Sequence, residues 1–177
     1  MSDQERGKEM VEEIILEQVL DSFPIVTERT LTDEWDGEAN QVEGSPDFII
    51  GLDGKPLGIE LTEIRGVEDA RDYVDEAYRL ASKKDESYRR RGIFRFPIAL
   101  ILYSKVPPIC EIEGRLEWII CQEDFEQLGF SEIWAIDFSD AYYRPGQPLG
   151  GADMFCFKPE ELFGFHGIGP AGRKPYG

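Results

Sequence analysis

Histidine is almost missing from this chain: His166 is the single one among 177 residues. A Ser-His-Asp triad would rest wholly on it. It sits in a Gly-rich tail with no nucleophile motif beside it, so it is read as a tail histidine without a role. Cysteine is scarce too. Cys110, Cys121 and Cys156 are far apart, odd in number and without a CxxC, which removes the zinc-ribbon and disulfide-framework classes. Reduced thiols in a cytosol are the simple expectation. No apolar run approaches the length of a membrane span, and the opening MSDQERGKEM has no apolar signal region. A cytoplasmic protein with no membrane partner is therefore expected. Positive charge is in short supply: 19 Lys and Arg stand against 36 Asp and Glu, a net charge of −17. At that charge, non-specific attraction to nucleic acid is unfavourable overall. Contact with a polyanion needs a local basic patch or bound cations. The same acidity suits docking on a basic partner. Internal repeats and low-complexity tracts are absent as well.

What is present is globular. Hydrophobic residues make up 41% and aromatics 12%, values that argue against wholesale disorder. The length suits one domain, residues 1–177, with irregular ends at 1–8 and about 166–177. Val11, Ile14, Ile15, Gln18 and Val19 recur at helical spacing and predict a helix over Glu9 to Leu20, ended by Phe23-Pro24. Ile25 to Leu31 reads as a short strand and Thr32 to Ser45 as a loop. Ala70, Tyr73, Val74, Ala77, Tyr78 and Ala81 share one face of a long helix from Glu68 to about Arg91. The nearly all-apolar FPIALILY, Phe96 to Tyr103, predicts a strand covered on both faces. A less regular helix is expected over Glu113 to Leu128, capped by Gly129. Strands are expected at Ile133 to Phe138 and Asp153 to Phe157, and Pro159 opens a short last helix. The sum is α/β: a mixed sheet with helices on it.

One stretch raises a chemical question. PDFIIGLDGKPLGIELT, Pro46 to Thr62, carries Asp47 near the start of one apolar run and Glu60 near the end of the next. Asp53-Gly54 between them is a good hairpin-turn pair. With a two-residue turn, Leu52 faces Lys55 and Asp47 faces Glu60. The two acids are then cross-strand neighbours with side chains about 5 Å apart, and Thr62 joins their face. Phe48, Ile50, Leu57, Ile59 and Leu61 take the other face, toward the core. Like charges placed opposite each other destabilise a sheet unless something offsets them. A divalent cation does so, because Mg²⁺ prefers carboxylate oxygens and water. The plainer alternative is a solvated pair at a fraying hairpin end.

Pro46-Asp47, the hairpin, then Glu60-Leu61-Thr62 resembles the core motif of the PD-(D/E)XK nuclease superfamily, which has the restriction-endonuclease-like fold. The order helix, three strands, helix, strand is similar too, and the likeness covers roughly Glu9 to Ser104. It implies a single-domain restriction-endonuclease-like fold that cleaves phosphodiester bonds of nucleic acid. It also implies Mg²⁺ (or Mn²⁺) as cofactor, held by Asp47, Glu60 and the backbone carbonyl of Leu61. A glutamate on the first helix would stand near the metal; Glu17 borders the apolar face most closely, with Glu13 the second choice. The family's lysine, two residues after the acid, is Thr62 here, and a hydroxyl cannot supply its charge.

The long helix offers a replacement. Lys84 is fourteen residues after Ala70 and so returns to the apolar stripe, and Tyr88 follows at i+4. KDESY, Lys84-x-x-x-Tyr88, resembles the QxxxY element that many of these nucleases carry on that helix. The resemblance thus implies Asp47, Glu60 and Lys84 as the catalytic set, with Thr62 and Tyr88 beside them. A lysine that merely snorkels at the end of an amphipathic helix is the alternative. Lys83, Lys84, Arg89, Arg90, Arg91 and Arg95 form a basic strip that would hold a phosphate backbone or simply favour the helix dipole. Trp35, Trp118 and Trp134 read as packing residues, and GIGPAG and PLGG as turns. Two rivals stand beside the nuclease: a non-catalytic acidic binding or inhibitor module on the same fold, and an unrelated structural protein with an accidental acid pair.

Overall fold

The computed structural model describes residues 3–27, 30–32, 46–67, 70–104, 124–137 and 153–158. They form an α/β fold. An open six-stranded mixed sheet has its strands side by side in chain order, β1 to β6. These are Leu31–Thr32, Phe48–Leu52, Lys55–Glu63, Ile98–Ser104, Glu132–Asp137 and Asp153–Lys158. β1, β2 and β3 pair antiparallel, β3, β4 and β5 pair parallel, and β6 returns antiparallel to β5. Helix α1 is Asp3–Thr27 and helix α2 is Ala70–Arg91.

Alternation along the strands builds two cores. On one face Ile15 and Val19 of α1 pack with Ile50, Leu52, Leu57, Ile59 and Leu61 of the hairpin and with Ile101, Trp134 and Cys156. On the other, Tyr73, Val74, Ala77, Ala81 and Tyr88 of α2 pack with Leu100, Leu102, Ile133, Ala135 and Phe157. β4 is buried along its whole length, as a strand covered on both faces should be. β3 differs. Its α1 side is apolar, while its α2 side carries Gly58, Glu60 and Thr62.

The hairpin has the expected register, Leu52 opposite Lys55 through Phe48 opposite Ile59. Asp53 (φ 48°) and Gly54 (φ 76°) both take left-handed backbone, the type I′ geometry that matches strand twist.

Several elements differ from their sequence outlines. α1 takes in residues 3–8, outlined above as an irregular end, and runs through Pro24 to Thr27. Proline lacks the N–H for one helical bond, yet so near the helix end that loss does not terminate it. Ile25 to Thr27 are consequently helical; of the expected strand Leu31 pairs, joined by Thr32 from the expected loop. Phe125–Gln127 is one 3-10 turn, and Leu128 is already extended (φ −73°, ψ 146°). The expected helix therefore does not reach Leu128, and Gly129 caps nothing. Glycine is required there by space: a Cβ would come within 2.8 Å of the Phe94 ring and 3.0 Å of Asp85 Oδ1. The earlier part of that helix, the Thr32 to Ser45 loop beyond Thr32, the Pro159 helix, His166, Trp35, Trp118, Cys110 and Cys121 lie outside the described residues. Among the described residues, no helix is long and apolar enough to cross a membrane. Trp134 is fully buried, its indole N–H donating to Glu132 at 2.6 Å.

Candidate functional site

The site lies at the open end of the β2–β3 hairpin. In an antiparallel ladder hydrogen-bonded pairs alternate with non-bonded ones. After Phe48 opposite Ile59, the next bonded rung would join Pro46 to Leu61. Proline has no N–H to give to the Leu61 carbonyl. The Leu61 N–H, for its part, donates to Asp47 Oδ2 at 2.8 Å. The side chain of Asp47 thus closes the hairpin where the backbone ladder stops. Pro46 is held in place by Gly58, whose missing Cβ would meet the Pro46 ring at 2.7 Å and Phe96 and Ile98 at 3.1 Å.

Glu60 faces α2 and is 3% exposed. Both its oxygens are engaged: the Lys84 ammonium pairs with Oε1, and the Tyr88 hydroxyl donates to Oε2. Burial pushes the Glu60 carboxyl up, the Asp47 charge adds to that, and the bonds from Lys84 and Tyr88 pull the other way. Burial, then the bond to Glu60, raises the Tyr88 hydroxyl far beyond its ordinary range, so it is a fixed donor. The helix repeat explains the meeting. Ala77, Ala81, Lys84 and Tyr88 share one face, and Ala77, Ala81 and Tyr88 are fully or nearly fully buried. Lys84 keeps a 38% exposed side chain, so its stem is covered while its head meets both Glu60 and water. Arg91 lies over the Tyr88 ring, 5.4 Å from its centre.

Of the residues singled out in the sequence, the fold brings Asp47, Glu60, Leu61, Lys84 and Tyr88 together. Thr62 shares the Glu60 face of β3, and its hydroxyl oxygen is buried without a hydrogen-bond partner among the described residues. Glu17 and Glu13 are exposed on α1. At about 100° per residue, Glu17 falls about 200° round the helix from Ile15, on the side away from the sheet. The α1 residue that does face the sheet is Glu12, on one stripe with Lys8, Ile15 and Val19. Its side chain is 14% exposed and pairs with Lys8 at 3.1 Å. The signal was the spacing 8, 12, 15, 19, hidden because two charged residues continue an apolar stripe. The charges of Asp47 and Glu60 also reach Lys8, which Glu12 above all holds above its ordinary value.

The basic strip is largely engaged within the fold. Arg89 pairs with Asp85 and donates to the Gln127 carbonyl; Arg91 and Arg95 donate to the Ser87 and Gly92 carbonyls. Lys83 and Arg90 are exposed. An open cleft of ≈ 370 Å³ lies elsewhere, between Arg65 and the first half of α2, and its lining includes neither Asp47 nor Glu60.

A hard cation suits the donor set at Asp47 and Glu60. Two carboxylates and a carbonyl with no proline N–H to meet it are oxygen ligands, and Mg²⁺ binds through one or two carboxylates plus waters. Among the described residues, no group of three or more His, Cys, Asp or Glu side chains gathers to hold a metal ion. No family model, curated protein or solved structure matches the chain.

Proposed function

We propose that the protein is a metal-dependent nuclease of restriction-endonuclease-like fold, cleaving phosphodiester bonds of nucleic acid. One observation carries the reading. The strand position where the superfamily it resembles carries a lysine holds Thr62, and a lysine from α2, Lys84, sits on Glu60 instead. Cation, paired acids and open hairpin end then stand in one place.

In this reading Asp47, Glu60 and the Leu61 carbonyl would hold Mg²⁺ or Mn²⁺. The ion would supply a Lewis acid that polarises the phosphodiester and makes water a better nucleophile. Tyr88 keeps Glu60 aimed by holding its second oxygen. Lys84 places its ammonium where negative charge grows on the attacking oxygen and the phosphate. A fixed donor in a covered site acts without reorganising as the reaction proceeds.

The test is cleavage of single- and double-stranded DNA and RNA in Mg²⁺ and Mn²⁺ by wild type and Glu60→Ala. Cleavage lost in Glu60→Ala supports the reading, and cleavage that persists there belongs to a contaminant. A second reading has its own support: both Glu60 oxygens are satisfied without any metal. It is a non-catalytic acidic binding or inhibitor module on the same fold. A well-folded wild type that cleaves none of these substrates favours it.

A further inference from the structure

Each helix brings one lysine to the Asp47–Glu60 end of the sheet. Lys84 comes from α2 on the Glu60 side. Lys8 comes from α1 on the opposite face. Only residues 28–30 separate α1 from β1, and β1 pairs with the turn end of β2, Leu31 opposite Leu52. The C-terminus of α1 therefore lies by the hairpin turn, and its first turns lie toward the open end. Lys8 and Glu12 continue the stripe of Ile15 and Val19, which shares a core with Ile59 and Leu61, the two neighbours of Glu60.

Helix stability alone does not account for Lys8. The pair Lys8–Glu12 has the lysine N-terminal to the acid, the poorer order for an i,i+4 pair. A cation in the early turns also opposes the helix dipole. What favours a cation there is the set of acids around it: Glu12 at 3.1 Å, with the Asp47 and Glu60 charges within reach. Exposure divides the pair. Glu12 is 14% exposed and Lys8 73%, so the acid is covered while the ammonium is reachable from solution.

We infer that Lys8 is a phosphate-contacting residue of this site, standing across the Asp47–Glu60 pair from Lys84 and tethered by Glu12. Its ligand is a phosphodiester of the bound strand. The inference rests on the nuclease reading. In that reading the Lys84 charge, already balanced by Glu60, serves the reacting phosphate, so a second cation is needed to seat the rest of an anionic strand beside two carboxylates. Lys8 supplies it from the one side that α2 does not cover.

The test uses the full chain with Lys8→Ala, Lys8→Arg and, as control, Arg6→Ala. Arg6 is exposed on the same helix, about half a turn from the Lys8 face. Steady-state cleavage in Mn²⁺ gives kcat and KM, and binding of the same oligonucleotide in Ca²⁺ gives the salt dependence. Lys8→Ala should raise KM about tenfold, leave kcat within about twofold, and flatten the plot of log affinity against log salt by about one. Lys8→Arg should recover most of the loss, and Arg6→Ala should change little. Equal effects of Lys8→Ala and Arg6→Ala, or a fall in kcat with KM unchanged, overturn the inference. An active wild type with an indifferent Lys8→Ala overturns this inference and leaves the nuclease reading standing. A wild type that neither binds nor cleaves overturns both.

Discussion

Lys84 on α2 reaches across to Glu60 on β3, and the pair is formed on the face of β3 where Gly58, Glu60 and Thr62 stand in place of apolar side chains. The acid is 3% exposed. An isolated buried carboxylate is expensive, and a partner offsets that cost only in part. The arrangement holds an ionisable group away from its comfortable state, which is common at sites that bind or react.

Stability should report this directly. Burial and the Asp47 charge raise the Glu60 carboxyl above its ordinary 4.5, against the bonds from Lys84 and Tyr88. The folded state then holds the proton more tightly than the unfolded one. The contribution of Glu60 to stability is full below the unfolded value and is lost as pH rises through the folded value. Glu60→Gln removes that loss. In EDTA its melting temperature should match wild type below pH 4.5 and exceed it above, by a margin that grows up to the folded value and then levels off. Parallel curves for the two proteins across the range would refute the raised carboxyl.

Asp47 has two jobs that different substitutions separate. Its carboxylate accepts the Leu61 N–H at 2.8 Å, and its charge works against Glu60. Asp47→Asn keeps an acceptor and removes the charge, so in EDTA it should be neutral or mildly stabilising. Asp47→Ala leaves the Leu61 N–H without an acceptor and should cost about 1 kcal/mol or more. Denaturant unfolding of both variants checks this. If Asn costs as much as Ala, the charge itself is structural.

Gly58 fixes where Asp47 sits. A Cβ at residue 58 would lie 2.7 Å from the Pro46 ring and 3.1 Å from Phe96 and Ile98. None of these is a free side-chain end that can swing away. Gly58→Ala should destabilise by about 1–3 kcal/mol, and, if the proposed site binds Mn²⁺, the displaced Pro46 should weaken that binding in calorimetry. A variant with wild-type stability and metal affinity would mean that Pro46 is loosely held.

The hairpin and the α2 stripe were legible because each is a local pattern. Asp53-Gly54 sets the register of β2 and β3, and a period of 3.6 carries Lys84 and Tyr88 to the buried face. α1 was legible as a helix but not in its facing. Val11, Ile14, Leu16 and Leu20 widen the apolar arc, and Lys8 and Glu12 hide the stripe that continues it. Only the sheet beneath decides between Glu12 and Glu17. Gly129 misled for a similar reason. A glycine after a leucine reads as a cap, whereas its role here comes from Phe94 and Asp85, which lie far from it in sequence.

Lys84 and Thr62 allow the strictest test, because the lysine can be moved. If the protein cleaves, Lys84→Ala should slow single-turnover cleavage by about a hundredfold, the scale of losing one charge-stabilising group. Mn²⁺ affinity should largely survive, since an ammonium is not a ligand. Among the described residues the Thr62 hydroxyl has no hydrogen-bond partner, so replacing it forfeits no bond to them. Thr62 lies on the Glu60 face, two residues along β3, about 6–7 Å away. A lysine placed there has the reach to bring its ammonium back to the same acid. The double variant Lys84→Ala/Thr62→Lys should therefore regain at least about tenfold of the lost rate. Thr62→Val in the wild-type background should leave the rate nearly unchanged. Activity intact in Lys84→Ala would remove Lys84 from the reaction. A Lys84→Ala defect that Thr62→Lys leaves uncorrected, with the fold and metal affinity intact, would mean that Lys84 acts through its place on α2 and not through its charge.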